Sequence, residues 1–177
     1  ARSLRLREKI LRGIRRGITS PAGLIAHGRG EAFYYLLGEK SHPFSRAALR
    51  GAAAHLLLAK RPMISVNGNV AALIGKELAA LSNRWNIPLE VNIFHHTRKR
   101  EKKLVRYLKT CGAMRILSSL SGPWRVIPHI KHARRKMSLK GIAKADIVFV
   151  PLEDGDRCQA LMKMGKKVIT IDLNPLS

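Results

Sequence analysis

Ile147-Val148-Phe149-Val150-Pro151-Leu152-Glu153-Asp154-Gly155-Asp156-Arg157-Cys158-Gln159-Ala160-Leu161-Met162-Lys163-Met164-Gly165-Lys166-Lys167-Val168-Ile169-Thr170-Ile171 is the stretch that decides the fold. Its first four residues are apolar without interruption, the pattern of a strand buried on both faces. An acidic turn follows, then a helix over Gly155–Met164 and a second short strand, Lys167–Ile171. Upstream the alternation repeats. Pro62–Val66 is an apolar run closed by Asn67-Gly68-Asn69, and Val70–Trp85 reads as a helix. Pro88–Phe94 is strand-like, and Thr97–Thr110 is a helix with Leu104, Val105, Leu108 and Cys111 on one side. Met114–Leu117 is a further short strand, and residues 118–141 read as irregular and basic. Strands alternating with helices at this spacing predict an α/β fold with a parallel sheet.

Ahead of this core, residues 4–18 place Leu4, Ile10, Leu11, Ile14 and Ile18 at helical spacing. A glycine-marked stretch, Gly23–Glu31, is read as a turn leading into a short helix over Ala32–Leu37. Ser45–Lys60, rich in Ala and Leu, is read as a buried helix. The expected organisation is one domain over 1–177, with residues 1–60 as a helical accessory layer on a core of 61–177.

The 34 Lys and Arg residues against 11 Asp and Glu give a formal net charge of +23. Residues 1–20 hold seven basic residues and one acid, Glu8; residues 95–140 hold fourteen and one acid, Glu101. Such a shell attracts polyanions through phosphate neutralisation and counterion release, or serves as a solvated face that resists aggregation. Aromatic residues make up only 5%, so base stacking is excluded as the main mode of nucleic-acid binding. No apolar run approaches the ~18 residues of a membrane span. The basic start lacks the apolar core of a signal peptide, and Cys111 and Cys158 match no metal or redox motif, so a cytoplasmic protein with reduced thiols is expected.

Three polar loops fall at the carboxyl ends of predicted strands: Asn67-Gly68-Asn69, Glu153–Arg157 and Asp172-Leu173-Asn174. Ligands of open α/β sheets bind in that crevice. Asn67-Gly68-Asn69 is also an ordinary turn sequence. Glu153, Asp154 and Asp156 repel one another, and the repulsion calls for a cation, a metal or helix N-terminal amides; a capping role accounts for only one of the three. His27, Arg29 and Glu31 around Gly28 and Gly30 read either as a glycine turn before a helix or as an anion cradle with Arg29 on a phosphate. His95-His96 and the His129, His132 pair lack a matching second pair, so solvated histidines are favoured over metal ligands. P-loop and dinucleotide fingerprints are absent.

Together the segments Arg7-Glu8-Lys9-Ile10, Ala22–Glu39, Ser65–Leu73, Glu90–Phe94, Ala145–Arg157 and Met164–Ser177 resemble the archaeal phosphopantothenate synthetase family, the 4-phosphopantoate–β-alanine ligases. The resemblance implies a Rossmann-like, usually dimeric protein that uses ATP and Mg2+ in coenzyme A synthesis. ATP would activate the carboxylate of 4-phosphopantoate as an acyl-adenylate, and β-alanine would attack it to give 4′-phosphopantothenate. By motif position Arg7 and Arg29 would contact ATP, and Asp172, Leu173 and Asn174 would hold the nucleotide. Asn67, Asn69, Asp154, Asp156 and Arg157 would line the same crevice, with Arg29, Asp154, Asp156 and Arg157 as the catalytic set. The family pattern continues past Asn-Pro-Leu-Ser with a basic residue and further nucleotide contacts. Tyr34 stands where the pattern has an Asp, residues 118–126 differ from it, and the basic excess exceeds it. That excess supports an alternative: a family member recruited as an RNA-binding, ribosome-associated scaffold. Its phosphate contacts would be Arg98, Lys99, Arg100, Lys102, Lys103, Arg106, Lys131, Arg134, Arg135 and Lys136.

Overall fold

The computed structural model describes residues 2–94, 96–128, 130, 135–153 and 155–172. In chain order the elements are α1 (Arg2–Arg15), α2 (Pro21–Leu37), α3 (Pro43–Leu58), β1 (Pro62–Val66), α4 (Gly68–Trp85), β2 (Leu89–Val91), α5 (Arg98–Thr110), β3 (Ile116–Leu117), β4 (Trp124–Val126), β5 (Lys136–Ser138), a 3-10 turn (Ile142–Lys144), β6 (Ile147–Pro151), α6 (Gly155–Lys163) and β7 (Lys167–Ile171). Five strands form a parallel sheet in the order β3-β2-β1-β6-β7, and β4 pairs antiparallel with β5. From central β1 the chain proceeds outward through β2 and β3, then crosses back to β6 and β7. The order therefore reverses between β1 and β6, which opens a crevice at their carboxyl ends.

The twofold side-chain period of the strands divides the core between the two faces. Ile64 and Val66 of β1 pack with Leu78 of α4 and with Leu104 and Leu108 of α5. Met63 of β1 and Val148 and Val150 of β6 point the other way, into a cluster with Ile127, Met137, Ile142 and Leu161. Burying a side chain such as Leu104 or Leu161 completely contributes about 1.5–3 kcal/mol. Helices α1 and α2 pack on α4 and on each other, as the accessory layer predicted.

Three sequence expectations are corrected. Gly23–Glu31 is not a turn: α2 runs unbroken from Pro21, whose fixed φ suits the first helical turn, and Gly38 ends it with φ 76°. The backbone amides of that stretch are spent inside the helix, so the anion cradle does not form there. Helix α3 is helical as expected but not buried: none of its sixteen residues is, and Phe44, Leu49, Leu57 and Leu58 are exposed. Within 118–141, read as irregular, the β4–β5 hairpin and Ile127 complete the second core cluster.

Candidate active site

The crevice is framed by asparagines. Asn67 caps α4, its Oδ1 accepting from the Val70 amide at 3.0 Å. Its Nδ2 donates to the carbonyls of Pro151 (3.2 Å) and Leu152 (2.8 Å), tying the end of β1 to the end of β6 across the switch point. Asn69, the second residue of α4, accepts from Thr19 through Oδ1 and donates through Nδ2 to the Gly23 carbonyl at 2.8 Å. The close approach explains the glycines: a Cβ at Gly68 would lie 2.4 Å from the Ile18 carbonyl oxygen, and one at Gly23 would lie 2.3 Å from Asn69 Oδ1. The α1–α2 corner is thereby seated against the N-terminus of α4, an end whose amides and dipole favour anions.

On that corner, Arg7 of α1 donates to both carboxylate oxygens of buried Glu31, at 2.6 and 3.1 Å, while part of its guanidinium stays open to solvent. His27, one turn before Glu31, is buried, and neither ring nitrogen has a hydrogen-bond partner among the described residues. Burial pushes its pKa down, Glu31 opposes that shift, and Arg7 adds to it. Arg29 is exposed on the same helix.

At the end of β6 the carboxylate of Glu153 finds its cation within the loop. Arg157 is completely buried and donates through Nη1 to Glu153 Oε2 at 2.6 Å and to Ser65 Oγ at 3.0 Å. Asp156 is exposed and accepts from the Arg157 amide at 2.7 Å, at the start of α6. The required cation is thus a side chain of the same motif, four residues on.

Two buried acids escaped the sequence reading. Glu90, in the middle of β2, accepts from the amides of Ser138 (2.9 Å) and Ile142 (2.7 Å) and so clamps the β5 segment to the sheet. Burial pushes its pKa up, opposed by those two amides and by the charges of Arg157 and Lys166. Glu101, in the first turn of α5, accepts from His96 Nε2 at 2.5 Å and from Ser119 through its amide (2.6 Å) and hydroxyl (2.7 Å). With Asn92, Lys136 and Ser138 these residues line a small cleft, open to solvent, at the end of β2. The available signal was an acid inside the apolar run Pro88–Phe94 and a lone acid among the fourteen basic residues of 95–140.

Residues 44–177 match the family model for phosphopantothenate/pantothenate synthetase. Curated relatives named 4-phosphopantoate–β-alanine ligase align over 99% of this chain: 52% identical in Thermococcus onnurineus, 51% in Methanosarcina mazei and 49% in Methanospirillum hungatei. The chain spans 67%, 68% and 71% of their respective lengths. This chain belongs to the phosphopantothenate/pantothenate synthetase family.

Within this synthetase fold the residues singled out by sequence fall into three groups. Arg7, Asn67, Asn69 and Arg157 are each held in intramolecular contacts, at the strand ends or on the α1–α2 corner. Arg29, Asp156 and Asp172 are exposed. Asp154, Leu173, Asn174, Lys131, Arg134, His95, His129 and His132 lie outside the described residues. Among the described residues no three His, Cys, Asp or Glu side chains converge as a metal would require. They therefore do not by themselves form a magnesium site. Helix α5 does expose Arg98, Lys99, Lys102, Lys103 and Arg106, and Arg135 is exposed as well. Arg100 instead turns back to donate to the Phe94 carbonyl at 2.8 Å, and Lys136 sits 4.5 Å from the ring centre of Trp124. None of the described helices is long and apolar enough to cross a membrane.

Proposed function

We propose that this protein is an ATP-dependent ligase that joins 4-phosphopantoate to β-alanine through an activated carboxylate. The observation that carries the reading is near-50% identity, over 99% of the chain, to relatives named for that ligation. A crevice at the switch point of a parallel sheet, closed by Asn67 and flanked by a helix N-terminus, supports it. ATP fits this frame: Arg7 and Arg29 meet its phosphates from the α1–α2 corner, and Asp172, Leu173 and Asn174 meet the nucleotide beyond β7. Asn67 and Asn69 act by holding the N-terminus of α4 in place. Arg157 acts through Glu153 and Ser65, and Asp154 and Asp156 complete the proposed catalytic set. Magnesium enters with the triphosphate.

A homodimer joined through α3 is part of the proposal, because that apolar helix buries nothing within the chain. Among the described residues the RNA- or ribosome-binding alternative rests on the exposed cations of α5 and on Arg135, and the relatives above are named for ligation. The deciding experiment is ATP-dependent formation of 4′-phosphopantothenate by the full-length protein, with Arg29→Ala and Asp156→Ala as controls. Each is expected to lower kcat/KM by about 10²–10³, the loss of one charge-stabilising contact. No turnover, combined with RNA binding that weakens steeply with salt, would reverse the choice.

A further inference from the structure

We propose that the pocket at the end of β2 is the subsite for the amine substrate, a short β-amino acid, with His96 accepting the proton its ammonium must lose and Lys136 holding its carboxylate. The proposal rests on the ligase reading above. The pocket adjoins the crevice. The Asn92 amide donates to the Val66 carbonyl at 2.9 Å, so the pocket floor touches the end of β1. Glu90 lies opposite Ser65 in the register, and Ser65 holds Arg157. Nucleotide-side loops thus lie on the β6 side of β1, and this pocket lies on the β2 side.

The chemistry of the lining suits a zwitterion. His96 donates its Nε2–H to Glu101, whose carboxylate is only 1% exposed in the side chain and is held from the other side by Ser119. A carboxylate on one ring nitrogen fixes the tautomer and leaves the lone pair on the other. That atom, Nδ1, has no hydrogen-bond partner among the described residues, and the ring is partly open to the pocket. The charged groups around it are Glu101 and Arg100 from α5, Glu90 from β2 and Lys136 from β5. Lys136 is steadied over Trp124 and supplies the cation a carboxylate requires.

In the step itself the ammonium passes one proton to His96 Nδ1, and its nitrogen lone pair attacks the activated carboxyl carbon. The C–N bond forms, and the C–O bond to the adenylyl phosphate breaks, its electron pair leaving with AMP. The second proton on nitrogen goes to water, and His96 returns its own proton to water.

The test compares two nucleophiles on the full-length protein with ATP and 4-phosphopantoate: β-alanine, and hydroxylamine, a weakly basic amine that is largely unprotonated at neutral pH. His96→Gln should slow amide formation from β-alanine by about 10²–10³, the usual worth of a general base, and change hydroxamate formation by less than about threefold. Lys136→Gln should raise KM for β-alanine by about tenfold or more and leave hydroxylamine, which has no carboxylate, unaffected. Equal losses with both nucleophiles in both variants would show that the cluster only supports the fold and overturn the proposal, as would an unchanged β-alanine rate. An unsubstituted protein that makes neither product refutes the ligase reading itself, a failure separate from that of either variant.

Discussion

Arg157→Met removes the cation that neutralises Glu153. Both side chains are sealed from solvent, at 0% and 2% exposure, and they meet at 2.6 Å. Truncating one partner of a buried ion pair costs about 3–5 kcal/mol. A second route to the magnitude gives a ceiling, because the stranded carboxylate can escape by taking up a proton. For a Glu with an ordinary pKa of about 4.3, that costs about 1.36 × 2.7 ≈ 3.7 kcal/mol at pH ~7. The two estimates agree, and the second carries a pH dependence. Without the guanidinium, burial raises the folded-state pKa of Glu153 above its unfolded value. Stability is then intact below the unfolded value and is lost as pH rises through the window above it. The charge-dependent loss relative to the parent should therefore be at most about 3.7 kcal/mol at pH ~7 and at most about 1 kcal/mol at pH ~5. Urea unfolding of parent, Arg157→Met and the Glu153→Gln, Arg157→Met double variant at both pH values measures this. The double variant, which carries no stranded charge, should recover at least half of the loss. A deficit equal at the two pH values, or a double variant no better than the single, would refute the reasoning.

Gly141→Ala should cost about 2–3 kcal/mol, since an ideal Cβ there lies 2.0 Å from Glu90 Oε2 and 2.9 Å from Leu117 Cδ1 inside a filled core; thermal unfolding reads it. Acidification through the ordinary histidine range should destabilise the protein through His27, whose folded pKa lies below its unfolded value, so that stability is lost as pH falls; His27→Leu should flatten that part of the stability–pH curve. Leu49→Asp with Leu58→Asp, both on the exposed apolar surface of α3, should convert a dimer to a monomer by sedimentation without lowering unfolding cooperativity.

Much of the site's frame was legible because its determinants are local. Asn67 caps the helix that starts at the next residue, its Oδ1 reaching the amide three residues on, and Glu153 and Arg157 pair across only four residues. The role of Arg157 was less legible: in sequence it reads as a crevice residue, whereas its guanidinium is buried beneath β1 against Ser65, 92 residues away. The pocket at β2 was missed for the same reason. Glu101 meets Ser119 across 18 residues, and Glu90 meets Ile142 across 52, separations at which no periodicity operates.

The sequence by itself determined the alternation of strands and helices, because hydrophobic period and turn chemistry act over a few residues. It also determined family membership, because collinear motifs run through the chain. Only tertiary structure decided that Gly23, Gly28 and Gly30 belong to a continuous helix. A glycine required by close packing against Asn69 looks the same in sequence as one required by a turn. Only tertiary structure decided that α3 faces outward, since an apolar helix records that it must be covered and not by what. The same holds for Glu90, Glu101 and Arg157: a buried charge is tolerated only where distant donors converge on it, and that convergence exists in the fold alone.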